Sequence, residues 1–331
     1  MPLPAKAAPR VPESLRDLPP VPQEWGRTSV VLAGSNGEGD AIPLTSVSNT
    51  VWPGILIQPG ATGLDMPLYQ LFSDESPNLD GSIFRSTRAS AREIMIPVFL
   101  YGVDRPTVNS LKRKLFQALN PRNGYCAIRF TEWSGETRQL AAYYKGGMEG
   151  AEGDTAGFTW AKYALNFTAM DPYFYPLSPR SIKWSFGTGD PLLSDSKNLF
   201  PMEISEGVLG GDGEPLIIEN PGDVEAWPVW DLRGPIRSFQ LTSSSGATIK
   251  ASPPGDSSDL IPAGRTLTID TRPGRKTVRD DRGTNYWERL DTNPEFWPVA
   301  PGSTDALITV VTGSGKSAIT LLFHPRYASF I

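Results

Sequence analysis

Alternation of apolar and polar residues, the mark of a half-buried strand, dominates the first half of this chain. It is clearest at Phe158–Met170, where Ala161, Tyr163, Leu165, Phe167 and Ala169 fall on one face. Gly54–Gln58, Arg92–Tyr101, Tyr125–Thr131 and Arg138–Lys145 predict further strands, with Trp133-Ser-Gly-Glu136 as a hairpin turn between two of them. One segment switches to helical spacing, with Val108, Leu111, Leu115 and Leu119 on a single stripe. It predicts a helix from about Pro106 to Leu119, with Asp104 as N-cap and Pro106 in the first turn, where no amide hydrogen is needed. Lys112, Arg113 and Lys114 fall mostly on the other, solvated face, and Asn120-Pro121 ends the helix.

From Glu214 onward helical spacing disappears. Short strands are predicted at Leu216–Glu219, Val229–Leu232, Phe239–Thr242, Thr248–Lys250, Thr266–Thr271, Tyr286–Leu290, Ala306–Val311 and Ala318–Phe323. Turn signals such as Asn220-Pro-Gly-Asp223, Pro273-Gly274 and Pro301-Gly302 separate them, which argues for a β-sandwich. Between the halves, residues 187–213 lose periodicity and become rich in Gly, Asp and Ser, the composition of a linker or insert. Residues 1–24 hold seven prolines, which forbid helix interiors and central strands and favour polyproline II. The expected organisation is a Pro-rich arm (1–24), an α+β domain (25–186), a linker (187–213) and a C-terminal sandwich (214–331), so the fold class is mainly β.

Composition narrows the chemistry. The chain has 331 residues, a net charge of −5, one cysteine and one histidine. An acidic balance disfavours binding to phosphate backbones, so no specific nucleic-acid binding is expected, although a conduit for DNA would benefit from mild repulsion. Cys126 and His324 cannot pair into a disulfide or supply four zinc ligands. No run of apolar residues is long enough to span a bilayer, and the N-terminus lacks the apolar stretch of a secretory signal, so synthesis in the cytoplasm of a host cell is expected without membrane insertion.

Candidate catalytic and ligand-binding patterns dissolve on inspection. Gly313-Ser-Gly-Lys-Ser317 lacks the first glycine of a phosphate loop, since position 310 is valine, and Ala318–Phe323 after it reads as a strand. Gly34-Ser-Asn-Gly-Glu-Gly39 precedes no helix and reads as a mobile loop. His324 lies before Pro325, near no nucleophile motif, and Cys126 alternates into a strand as a buried thiol. Glu132 and Glu136 bracket a hairpin, which splays them apart, and Asp280-Asp281-Arg282-Gly283 is too sparse for a calcium loop. No catalytic residue, cofactor or metal is expected. Trp287 and Trp297, with Trp227 and Trp230, raise a carbohydrate reading, because aromatic faces stack on sugars; core packing is the competing use of the same residues.

Three stretches together resemble the distal tail proteins of long-tailed bacteriophages. They are Ala91-Arg-Glu-Ile-Met-Ile-Pro-Val-Phe-Leu-Tyr-Gly102, the helix exit Leu119-Asn-Pro-Arg-Asn-Gly124, and Phe167-Thr-Ala-Met-Asp-Pro-Tyr-Phe-Tyr175. The order strand, helix, Asn-Pro corner, hairpin, long strand and Asp-Pro-aromatic corner carries the likeness, across about residues 25–325. The resemblance implies a non-enzymatic virion protein whose N-terminal domains form a hexameric ring at the distal end of the tail tube, with a galectin-like sandwich outside. It also implies contacts with the tube protein and with the tail-tip hub or baseplate. The residues expected to fix this geometry are the corners Asn120, Pro121 and Gly124, and Asp171, Pro172 and Tyr173. The alternatives are a receptor- or carbohydrate-binding tail accessory that uses Trp287 and Trp297, and a cell-wall hydrolase.

Overall fold

The computed structural model describes residues 28–44, 54–75, 77–78, 80–149, 159–186, 206–209, 216–253, 255, 259–313 and 315–331. The Pro-rich arm, and the 187–213 linker apart from 206–209, lie outside these residues.

The first half builds one antiparallel sheet in the order β2-β1-β7-β8-β9-β6-β3. These strands are β1 (Ser29–Ala33), β2 (Ala41–Pro43), β3 (Gly54–Ile57), β6 (Arg92–Tyr101), β7 (Cys126–Thr131), β8 (Thr137–Gly146) and β9 (Trp160–Ala169). The short β10 (Tyr175–Pro176) adds to β8. In β6 the alternation is strict, with Arg92, Ile94, Ile96, Val98 and Leu100 all facing inward. Pro97 is tolerated in this interior strand because its missing donor points toward β3. The β3 ladder ends at the Ile57–Val98 pair, and only the Pro97 carbonyl is used there, by Gln58 N at 2.8 Å.

Helix α1 (Arg105–Leu119) packs Val108, Leu115 and Leu119 against β6 and β9. Asp104 caps it as expected, accepting from Thr107 N at 2.9 Å. Lys112 departs from expectation. It lies one turn beyond Val108, so it sits at the border of the stripe, and it is buried with its ammonium over the Tyr163 ring at 5.9 Å.

The second half is two five-stranded sheets around one core. One sheet runs β11 (Arg180–Phe186), β20 (Ser317–Phe323), β14 (Val229–Arg233), β17 (Thr266–Asp270) and β18 (Thr277–Asp280). The other contains β12 (Glu206–Leu209), β19 (Gly302–Thr312), β15 (Ile236–Ser243) and β16 (Thr248–Ala251), with β13 (Leu216–Asn220) also on β19. Trp230, Phe239, Leu241, Trp297, Ile308 and Leu321 meet between them. The strand expected at Tyr286–Leu290 is instead a 3-10 turn, Trp287–Arg289. Asn285 captures Trp287 N at 3.0 Å and bends the backbone out of the sheet. After Lys316 the chain continues as β20, so the glycine-rich stretch leads into a strand and not a helix.

The two halves exchange chain. β11 precedes the linker in sequence yet pairs with β20 along its full length. The residues after β20 return to the first half. Phe174 and Tyr327 exchange two backbone hydrogen bonds of 2.9 Å, and Phe330 stacks on Phe130 with centroids 4.8 Å apart. On its other side the same segment bonds the Asn220–Asp223 turn, through Asp223 N to the Arg326 carbonyl at 2.8 Å. That turn is held by buried Asn220, whose Oδ1 accepts from Gly222 N at 2.9 Å while Nδ2 donates to the Val224 and Val299 carbonyls.

Two outcomes are expected from this packing. Phe330→Ala should destabilise the protein by about 2 kcal/mol, below the range for a fully enclosed phenylalanine because this ring is half-buried, measured from the denaturant midpoint. Cys126 is 2% exposed and burial pushes its thiol up to about 12. It should therefore resist a thiol reagent at neutral pH in the folded state and react at once when the chain is unfolded; rapid labelling of native protein would contradict this placement.

Candidate functional site

The Asp-Pro-aromatic corner follows β9 and is held from three directions. Asp171 Oδ1 accepts from Tyr173 N at 3.3 Å, and its other oxygen accepts from the Tyr175 hydroxyl. Arg326, from the returning C-terminal segment, pairs with Asp171 at 3.3 Å and lies over the Tyr173 ring at 4.4 Å. Burial first, then the neighbouring Tyr69 hydroxyl, push the Tyr173 phenol up to about 12, so it stays a neutral hydrogen-bonding group. Burial and Asp171 likewise push Tyr175 up.

Behind the corner sits Arg92, the first residue of β6 and 3% exposed. Its guanidinium is spread over four backbone carbonyls. Nε donates to Pro172 at 2.8 Å, Nη1 to Gly63 at 2.9 Å and to Asp65, and Nη2 to Ala328 at 2.7 Å. The Phe174 ring closes one face at 5.0 Å. Desolvation lowers the Arg92 pKa, opposed by Asp65, but a guanidinium starts high enough to remain charged. The 62–65 loop reaches the clamp only because Gly63, at φ 79°, runs against β6; a Cβ there would lie 2.1 Å from the Glu93 carbonyl oxygen.

The second expected corner, at the helix exit, is equally fixed. Asn120 Oδ1 accepts from Arg122 N at 3.1 Å, and Pro121–Asn123 forms one 3-10 turn. Gly124 follows at φ 107°, with Asn36 Oδ1 only 2.1 Å from where a Cβ would be, so no other residue fits. The glycine-rich loop at residues 34–39, expected to be mobile, is built into this corner. Asn36 exchanges bonds with Tyr125, N to carbonyl at 2.9 Å and Oδ1 from N at 3.1 Å, and Arg129 Nη2 donates to the Gly37 carbonyl at 2.6 Å. Asn120, Pro121 and Gly124 thus meet one another and the 34–39 loop. Pro172 and Tyr173 meet Arg92, which the sequence pattern marked only as a strand residue, while Asp171 meets Arg326.

A further feature escaped sequence reasoning altogether. Strands β4 (Tyr69–Glu75) and β5 (Ser82–Ala89) pair only with each other and form a hairpin arm off the main sheet. Leu71 is 69% exposed and Phe84 62%, with Met66, Leu68, Phe72 and Ile83 also exposed. Arg85–Asp74 at 2.6 Å and Arg88 to Gln70 at 3.1 Å brace the arm from strand to strand. Its base is tied to the corner through Tyr69 beside Tyr173. The Asp80-Gly81 turn between two β-rich runs was the available signal.

The tryptophans considered for sugar stacking divide. Trp297 is 2% exposed, donates to the Leu241 carbonyl at 3.2 Å and meets Trp230 edge-on at 5.5 Å. It is a core residue with no face for a ligand. Trp287 is 40% exposed, but Phe296 already stacks on it at 5.3 Å. Asp280 spends its oxygens on Arg282 N, Thr284 N and Arg265, shaping a turn. Glu132 accepts from the Thr28 hydroxyl at 2.8 Å, while Glu136 lies at the exposed end of the same hairpin beside Arg138.

Residues 70–142 match the family described as the phage tail protein RIFT-related domain. That span runs from the arm through β6 and α1 to β8, and so takes in the clamp arginine and the helix exit. Over this stretch the chain is therefore similar to a phage-tail domain. The particular likeness is to a distal tail protein: the crystal structure of SPP1 Dit (gp 19.1), described as a paradigm of the hub adsorption apparatus in phages infecting Gram-positive bacteria, matches with a TM-score of 0.58 and 14% identity. The match covers 91% of this chain and 99% of that one. Two structures of the phage p2 baseplate in its activated conformation, with Sr and with Ca, give TM-scores of 0.48 at 8% identity, covering 90% of this chain and 98% of theirs. No curated protein matches the sequence. The chain is thus similar to a phage-tail domain over a local stretch of sequence, and to SPP1 Dit in fold over most of its length.

Arg92→Met should cost about 3 kcal/mol or more, because it leaves several buried carbonyls without a donor. Arg92→Lys should recover less than half of that loss, since a single ammonium cannot span four acceptors. Urea midpoints of the three proteins decide it; a lysine variant as stable as the parent would show that charge, and not the fork, matters.

Proposed function

We propose that this chain is a non-enzymatic structural protein of a phage tail, assembling as a hexameric ring at the distal end of the tail tube and joining it to the tip hub or baseplate. The observation that carries the reading is the β4–β5 arm. It holds four exposed large apolar side chains, Leu71, Phe72, Ile83 and Phe84, on a two-stranded ribbon whose outer edges are unpaired among the described residues, with Met66 and Leu68 exposed just before it. Such a ribbon is marginal alone and invites strand pairing with another chain. A contact from this arm to a different surface of the next copy is head-to-tail, and it closes into a ring when the rotation is fixed. The Arg92 clamp and the Asp171–Tyr173 corner supply that rigidity at the arm's base. An obligate contact of this kind buries about 2,000 Å² or more.

The fold likeness to SPP1 Dit and the phage-tail family match over the arm support the placement at the tube's end, with the tube protein and the tip hub as partners. The net charge of −5 suits a ring whose lumen passes DNA without holding it. In this reading the two-sheet half faces outward, and the boundaries proposed for the bodies remain near residues 25–186 and 214–331, with β11 and the C-terminal segment crossing between them.

Purified protein should give six-fold rings in negative stain and a matching light-scattering mass. Leu71→Asp combined with Phe84→Asp should leave the thermal midpoint unchanged, because both side chains are exposed, while abolishing the rings. Rings that survive both charges would remove the arm from the interface. A map of the native particle with this chain as a lone, non-encircling subunit would overturn the reading itself.

A further inference from the structure

The second half leaves one long sheet edge open. β16 is closed by a later segment, through Asp291 N to the Lys250 carbonyl at 2.8 Å and Glu295 N to the Thr248 carbonyl at 3.0 Å. β18 is closed in the same way, by Tyr286 N to the Val278 carbonyl at 2.9 Å. β11 pairs with β20 on one side only, and among the described residues nothing bonds the backbone of its seven residues on the other. The edge formed by β12 and β13 is open too, but it is split into strands of four and five residues. Along β11, Ile182, Trp184 and Phe186 pack against the core yet are only half-buried, since no described strand lies beyond them. An open edge with an uncovered apolar row is a template for another strand.

The β4–β5 arm supplies a matching strand. β4 also has seven residues, all exposed, and its outer edge is unpaired among the described residues. Laid antiparallel along the full length of β11, it sets Tyr69 opposite Phe186, Leu71 opposite Trp184 and Glu75 opposite Arg180. Period-two alternation puts these pairs on one face, so apolar meets apolar and opposite charges meet at one end. A slip of one residue turns Tyr69 and Leu71 away from the row. Charge selects the strand as well. β11 carries Arg180 and Lys183 and no acid, while β4 carries Asp74 and Glu75 and no cation. β5 carries Arg85 and Arg88 and no acid, so its edge would bring like charges together. Asp74 and Arg180 have neighbours of their own, Arg85 at 2.6 Å and Glu219 at 3.4 Å. Glu75 and Lys183 have no ion-pair partner among the described residues.

We infer that the arm of one copy adds to the β11 edge of the next, with β4 antiparallel to β11. The two strands are not paired within one copy, so the partner is a second copy of this chain. Backbone bonds then supply the affinity, and the alternate side chains fix the register. The inference rests on the head-to-tail reading of the arm and names the surface that receives it. Donor and acceptor strands are tied to the same corner: Tyr69 lies beside Tyr173, and β11 follows soon after Tyr175. The corner therefore sets the angle between them, which is what closure of a ring requires.

Gln70 and Ser185 face each other in this register and both are exposed, so a disulfide between copies tests it. The full chain carrying Q70C and S185C is oxidised mildly and run on a denaturing gel without reductant. The parent, each single variant and R88C with S185C run beside it; Cys126 is buried and adds no background. The expected result is a ladder of covalent oligomers ending at six, formed about tenfold faster than with R88C and S185C. K183E changes an exposed side chain. It should leave the thermal midpoint unchanged and raise the concentration for half-assembly about fivefold, because it faces the acids of β4. Rings in negative stain without the Q70C–S185C ladder overturn this inference and leave the ring standing. Neither rings nor ladder overturns both, and a ladder without six-fold closure upholds the pairing against the ring. An equal ladder from R88C with S185C, a link within a single chain, or unaltered assembly of K183E overturns the β4–β11 pairing.

Discussion

The fold depends on one buried cation. Arg92 begins β6, the strand between β3 and β9 in the first sheet, and its planar fork meets carbonyls from three separate segments, at residues 63–65, 172 and 328. Carbonyls in irregular backbone are costly to bury without donors, and a loop, a corner and a returning terminus each bring some. A guanidinium resolves this because it offers several donors in a fixed plane and is hard to neutralise even when desolvated. Everything near it inherits its position: Gly63 must be glycine to approach, Phe174 lies over the cation, and Tyr173 is held between Arg326 and the base of the arm.

In the proposed ring, that rigidity serves a surface that must meet another at a set angle. The arm leaves the sheet beside this clamp and carries apolar residues that its own fold never covers. A flexible ribbon of the same composition would pair promiscuously; anchored at Tyr69, it presents one register. The helix exit does similar work on the other side of the sheet, where Asn36 and Gly124 interlock with no room for a side chain. Rigid corners, a protruding apolar ribbon and an acidic balance are the features on which the proposed assembly role rests.

Much of this was legible in the residues. Period-two alternation found β6, β7, β8 and β9, and three-to-four spacing with Asp104 and Pro106 found α1, because those elements bury one face against the local core. The corners at Asn120-Pro121 and Asp171-Pro172 were legible because proline and glycine act locally. What sequence could not show was distant. Arg92 looked like an ordinary polar start to a strand, since its partners lie up to 236 positions away. Lys112 looked solvated because it sits at the stripe's border. The arm was missed because both faces of each strand are exposed, so no core imposes a pattern on it. The glycine-rich loop at 34–39 read as slack, while its glycines in fact permit close approach to α1 and Tyr125. Trp297 could not be told from Trp287 by type; only the position of the second sheet makes one core and leaves the other at the surface.

The returning terminus has a consequence for how the molecule comes into being. Phe330 completes an aromatic cluster whose other members, Phe130 and Phe174, are synthesised some hundred and fifty residues or more ahead of it. Until residues 328–330 are made, the Phe130 and Phe174 rings lack the Phe330 ring and Arg92 lacks its Ala328 carbonyl. Closure of the clamp is thereby coupled to synthesis of residues 326–330, so that a copy lacking them lacks one of the fastenings at the base of its arm.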